Sequence, residues 1–213
     1  MKKKDLKSII REQYLRCVQD PVFFMRNYCY IQHPKRGKIK FNLYDFQEES
    51  LDTLHNNRYN VILKSRQLGI STLAAGYALH QMLFTDSFNV LVIATTQEVA
   101  KNLVTKVRIM HDNLPSWLKG NIEADNKLSL KFKNGSQIKA ISSANTGARS
   151  EALSLLIVDE AAFIRNIEEI WIASQATLST GGGAIVLSTP NGMGNWFHKT
   201  WVDGETNPKT QWN

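Results

Sequence analysis

Hydrophobic positions along this chain change their period several times, and each change marks an element. Between residues 5 and 19, Leu6, Ile9, Ile10, Tyr14, Leu15 and Val18 recur three and four apart, which predicts an amphipathic helix. Asp20 followed by Pro21 predicts a second helix start, with proline at its first position, leading into an aromatic-rich stretch that ends at Ile31. Residues 41–47 open another helix that runs to Asn56. Four short runs, 60–63, 89–95, 154–159 and 184–188, are apolar almost without interruption and rich in β-branched residues, as strands buried on both faces require. Helical patterns separate them: 71–82 with Leu73, Ala74, Tyr77 and Ala78, 97–112 with Val99, Leu103, Val107 and Met110, and then 167–178 and 194–202. Residues 128–140 alternate on either side of Asn134-Gly135, a strong short-range hairpin signal. Buried strands alternating with helices predict an α/β fold, a doubly wound and mainly parallel sheet with an antiparallel hairpin appendage.

Composition narrows the setting. With 43% hydrophobic and 21% charged residues, the chain has the make-up of a globular protein, and 213 residues suffice for one good core. No apolar run approaches the ~20 residues of a membrane span, and the lysine-rich start lacks a signal-peptide core, so no membrane association is expected. Two cysteines, Cys17 and Cys29, form neither a disulfide framework nor a paired metal motif, which fits a reducing cytoplasm. The five histidines are scattered without metal-ligand spacing.

The net charge of +7 is unevenly placed. Through Arg66 there are 14 Lys/Arg against 7 Asp/Glu; beyond it the numbers are 12 and 12. The excess is densest between His33 and Lys40, read here as a basic loop. Such a strip suits a phosphate-bearing partner, nucleic acid above all, or is a solvated loop beside a lysine-rich tail.

Candidate chemistry starts where the first buried strand ends. Lys64, Ser65, Arg66, Gln67, Leu68 and Gly69 form a short polar loop, and from Ile70, Ser71 and Thr72 the pattern is helical. Strand, glycine-containing loop and helix start make a phosphate cradle, because loop N–H groups and the positive end of the helix dipole converge there. The usual pattern is G-x-x-x-x-G-K-[ST]. This chain keeps the second glycine as Gly69 and the magnesium-ligand hydroxyl as Ser71, but has Lys64 for the first glycine and Ile70 for the lysine. Lys64 has a stem long enough to bring its ammonium back to the β- and γ-phosphates, and Arg66 offers a second cation. The competing reading is a ligand-free strand–turn–helix. The third strand delivers Asp159 and Glu160 at its carboxyl end, where ligands of open α/β sheets sit. Asp159 would hold Mg2+, directly or through water, and Glu160 would polarise the water attacking the γ-phosphate. Alternatively both acids merely favour the dipole of the next helix. Taken together, loop and acid pair predict the P-loop NTPase type of sheet, with an ATP or GTP site.

In this order, Ser65–Gly69, the Leu-Ile-Val-Asp-Glu-Ala-Ala-Phe segment ending at Phe163, and Ser188-Thr-Pro-Asn-Gly192 resemble the ATPase domain of tailed-bacteriophage large terminases. The resemblance covers the chain from Phe41 onward and implies a 41–213 P-loop ATPase domain preceded by a 1–40 helical and basic segment packed on it. Some members of that family place the loop lysine at its start, as Lys64 stands here. The resemblance further implies that Tyr44 and Gln47 recognise adenine, that Arg149 is an arginine finger acting on a neighbouring copy, that Arg66 acts in cis, and that Ser188 and Thr189 couple hydrolysis to motion. As partners it implies double-stranded DNA, other copies of the chain in a ring, portal protein and the small terminase subunit, in the host cytoplasm. The family's nuclease domain has no room after Trp201, so DNA cleavage is not expected of this polypeptide. Two alternatives stay open: a superfamily-2-like helicase lobe, which would have Gly-Lys-Thr in the loop and Ala-His or Ala-Asp after the acid pair, and a non-hydrolysing DNA-binding assembly module.

Overall fold

A computed structural model describes residues 5–144 and 152–213. Two N-terminal helices, α1 (Leu6–Gln19) and α2 (Pro21–Tyr28), meet at Asp20, whose carboxylate accepts the Phe23 N–H at 2.8 Å and caps α2 with proline at its first position. A two-stranded antiparallel ribbon follows, β1 (Tyr30–His33) and β2 (Gly37–Lys40). The stretch expected as a basic loop is therefore half of a hairpin. Its turn is organised by His33, whose Nδ1 accepts the N–H groups of Lys35 and Arg36, and by Gly37 at a φ of 66°. Strands of four residues, with only Ile31 and Ile39 apolar in the paired core of the ribbon, carry too little alternation to show in the sequence.

The remainder is α3 (Asp45–Asn56), β3 (Tyr59–Leu63), α4 (Ile70–Phe84), β4 (Asn89–Ala94), α5 (Gln97–Asp112), β5 (Ile122–Asn126), β6 (Ser129–Phe132), β7 (Gln137–Ser142), β8 (Leu155–Asp159), a 3-10 turn at Ala161–Phe163, α6 (Ile167–Leu178), β9 (Gly183–Ser188) and α7 (Trp196–Thr206). Seven strands form one sheet in the order β3-β9-β8-β4-β7-β6-β5. The first five are parallel; β6 and β5 continue the sheet antiparallel. The expected hairpin is β6–β7, and its second strand is seated beside β4, so it extends the sheet. At the other edge Trp212 bridges to Tyr59, and Val61 N–H donates to the Asn213 carbonyl at 2.8 Å, a strand-like pairing.

The parallel strands are buried on both faces, which is why they read as continuous apolar runs. Val90, Val92, Leu155, Ile157, Ile185 and Leu187 face a core shared with α3, α4 and α5, to which Cys17, Phe24 and Met25 of α1 and α2 are added. Leu91, Ile93, Leu156, Val158 and Val186 point the other way, onto Ile170 and Trp171 of α6 and Phe197 of α7. Two layers of helix thus hold the sheet rigid and leave the carboxyl ends of β3, β9 and β8 side by side. No helix among the described residues is long and apolar enough to cross a membrane.

Candidate functional site

At the end of β3 the chain leaves the sheet through the loop 64–69 and re-enters as α4. Gly69 makes this possible: its φ is 74°, and a Cβ there would lie 2.7 Å from Nε2 of Gln47. The helix start leaves the N–H groups of Ile70 and Ser71 as orphan donors, at the positive end of a long and mostly buried helix. Ile70 explains the departure from the usual pattern. Its side chain is 5% exposed and part of the main core, so a lysine at this position would have to bury its charge or leave the interface.

Lys64 is the cation at the start of this loop. Its main-chain N–H donates to the Ser188 carbonyl at 2.9 Å, which roots it on β9. Its Nζ donates to Glu160 Oε1 at 2.8 Å and stands 3.4 Å from Asp159 Oδ1. Asp159 is buried and accepts the Glu160 N–H at 2.9 Å. Glu160 has a left-handed backbone, φ 56°, at the turn between β8 and the 3-10 turn. Strain of this kind in a non-glycine residue costs ~1–3 kcal/mol and is retained where the direction of a side chain matters. Burial works against the Glu160 charge, yet the bond and charge of Lys64, with the N–H and hydroxyl of Thr189, outweigh it and hold this carboxyl below its ordinary value. It is therefore a carboxylate, an acceptor of hydrogen bonds.

The order of strands supplies the remaining partner. Because β9 lies between β3 and β8, its end falls between the loop and the acids. Thr189 donates to Glu160 Oε2 through its hydroxyl at 3.2 Å and its N–H at 3.4 Å. Ser188, fully buried, accepts the Ala162 N–H at 3.1 Å and donates to the Thr189 carbonyl at 2.8 Å. The structure thus brings Lys64, Asp159, Glu160, Ser188 and Thr189 into one continuous network.

A cavity of about 370 Å³ lies over the loop. Ser65, Gln67, Leu68, Gly69, Ser71 and Thr72 line one side. The opposite side is Gln32, His33 and Pro34 of the ribbon, and Lys106 of α5 closes it. His33 and Pro34 fall in the basic stretch 33–40 that suits a phosphate-bearing partner, whereas Gln32 and Lys106 are not legible as site residues in the sequence, since the ribbon is too short to recognise and Lys106 occurs in an ordinary amphipathic helix. Arg66 is exposed and does not line the cavity. Arg149 lies outside the described residues. Tyr44 is 66% exposed, with its ring stacked on Phe46 at 5.7 Å. Gln47 is 2% exposed, and both ends of its amide are engaged: Oε1 accepts the Tyr44 N–H at 3.1 Å and Nε2 donates to the Leu68 carbonyl at 2.8 Å. The Gln47 amide, assigned from the sequence to an adenine edge, ties the start of α3 to the loop 64–69. Among the described residues no group of three His, Cys, Asp or Glu forms a ready-made metal cage.

A doubly wound sheet with a glycine-containing loop after one strand and an acid pair after another, separated by a third strand, is a fold of the P-loop NTPase type. Residues 61–212 match the family model of the terminase large subunit, T4likevirus-type, N-terminal region, and the chain belongs to this family. Its fold is similar to that of the ATPase domain of the large terminase of Thermus phage P74-26, with a TM-score of 0.64 and 23% identity over 78% of this chain and 72% of that one. It is likewise similar to the HK97 bacteriophage large terminase, with a TM-score of 0.70 and 16% identity over 91% of this chain and 42% of that one.

Proposed function

We propose that this chain is the ATP-hydrolysing part of a viral DNA-packaging motor, translocating double-stranded DNA into a procapsid. The observation that carries the reading is the position of Lys64, which spans from the phosphate loop to both acids with Thr189 on the far side of Glu160. In this reading the orphan N–H groups at the start of α4 receive the phosphates, and the Lys64 ammonium leaves Glu160 Oε1 for the β/γ-phosphates. That departure frees Oε1 to polarise the attacking water, while Thr189 keeps hold of Oε2. Ser71 and Asp159 are hard oxygen donors that suit Mg2+, which takes its other ligands from water and phosphate and, when bound, neutralises phosphate charge. Tyr44, exposed and stacked on Phe46, offers the base a flat surface. Thr189 and Ser188 join the acid to the end of β9 and to the 3-10 turn, so a change at Glu160 reaches both; this supports their assignment as the coupling element.

The family resemblance adds a ring of copies, with Arg149 of one serving the site of the next, and portal protein and small terminase subunit as partners. The test is magnesium-dependent ATP hydrolysis against protein concentration for the wild type, Glu160→Ala and Arg149→Ala. Activity rising faster than linearly and lost in both variants is the expected result. Linear activity indifferent to Arg149→Ala refutes the finger in trans, and absence of both hydrolysis and nucleotide binding refutes the motor reading in favour of an assembly module.

A further inference from the structure

The cavity contains a cation that neither sequence motif supplies. Lys106 reaches it from α5, a helix that follows β4 and packs along α4. Its side chain is half-buried, and among the described residues it has neither hydrogen bond nor ion pair. Lysines with buried stems normally send the ammonium to water or to an acid. This one makes no ion pair among the described residues and lines the cavity instead. Burial pushes its pKa down, Asp159 pulls it up and Lys64 pushes it down again, so its ammonium feels the same acid as Lys64 does.

Charge balance shows what such a group is for. Before any metal is bound, Lys64, Asp159 and Glu160 together carry one net negative charge, an unfavourable reception for a polyphosphate. Arg66 is exposed and off the cavity wall. Lys106 cancels the deficit, and among the described residues it has no hydrogen bond or ion pair to give up. A second cavity of about 280 Å³ adjoins the first and shares Ile31, Gln32, Thr72 and Lys106 with it. Lys106 consequently stands where the two chambers meet, between the ribbon and the start of α4.

We propose that Lys106 contacts the polyphosphate of a nucleotide seated on the loop 64–72, serving with Lys64 as a phosphate-binding residue in the place the sequence assigns to Arg66. The proposal rests on the nucleotide reading given above. It is tested by equilibrium titration of a fluorescent ATP analogue with magnesium, and by competition with inorganic tripolyphosphate, on the wild type, Lys106→Met, Lys106→Arg and Lys64→Met. Lys106→Met is expected to weaken ATP binding and tripolyphosphate competition by about tenfold or more, as for a hydrogen bond between charged groups, and Lys106→Arg to restore most of the loss. The unliganded melting temperature of Lys106→Met should equal or exceed that of the wild type, because a partnerless, half-buried ammonium is removed. Wild-type affinity in Lys106→Met together with weakened binding in Lys64→Met overturns the proposal and leaves the nucleotide reading standing. Failure of the wild type to bind overturns both.

Discussion

Replacing Gln47 by alanine separates two roles that one residue can play. The amide is 2% exposed and joins the Tyr44 N–H, 3.1 Å away, to the Leu68 carbonyl, 2.8 Å away. Each such bond contributes about 1 kcal/mol net, so Gln47→Ala should cost about 2 kcal/mol. For a chain of this length a loss of that size lowers the melting temperature by about 4–8 °C. With the brace gone, the loop under the phosphates loosens, and affinity for ATP and GTP should fall by the same factor. Gln47→Glu should do no better, because a carboxylate oxygen then faces the Leu68 carbonyl. Thermal unfolding without ligand, followed by parallel ATP and GTP titrations, measures both effects. If Gln47 instead read adenine, removing it would cost about 1–3 kcal/mol of base discrimination and leave GTP binding and the melting temperature unchanged. That result would refute the brace.

Three further outcomes are expected. Gly69→Ala forces a side chain into a left-handed position 2.7 Å from Gln47 Nε2, and should lower stability by about 1–3 kcal/mol in urea unfolding and abolish nucleotide binding. His80 is buried, with Nε2 2.7 Å from the Cys17 carbonyl, and burial, only partly opposed by that bond, brings its pKa from 6.5 to about 4. Its contribution to stability is therefore complete above pH 6.5 and is lost as the pH falls towards 4, a decline of up to about 3 kcal/mol that His80→Gln should flatten in urea titrations. Burial also pushes the Cys17 thiol up to about 12 and raises that of Cys29, so neither should react with a disulfide reagent at pH 8 until the protein unfolds.

Much of the architecture was legible because its elements are periodic. Strands covered on both faces have to be apolar throughout, and the change to helical spacing after Gly69 marks the cradle without help from the rest of the chain. The acid pair was legible for the same reason, as the polar end of an apolar strand. What lay hidden depends on tertiary placement. The β1–β2 ribbon has too few residues for alternation to stand out, β5 is exposed along its whole length and so lacks an apolar pattern, and the spacing of α5 gives no sign that Lys106 leans over a loop more than thirty residues earlier. Gln47 shows the limit of reading chemistry from residue type: an amide suited to a base edge is equally suited to two main-chain groups, and only position decides between them.

The mounting of Lys64 has a mechanical consequence. In the usual pattern the phosphate-binding lysine opens a helix, and any pull on it is a pull on that helix. Here Ile70 occupies that place in the core, while the cation springs from the strand end and is tied by its own main chain to Ser188. In the proposed reading, force entering at the phosphates would pass directly into β9, which is paired with β3 from Tyr59 to Leu63. Such a mount is stiff, with a short arm, and transmits small displacements across the sheet with little lost to bending. A helix-mounted lysine would have the longer swing and the softer spring.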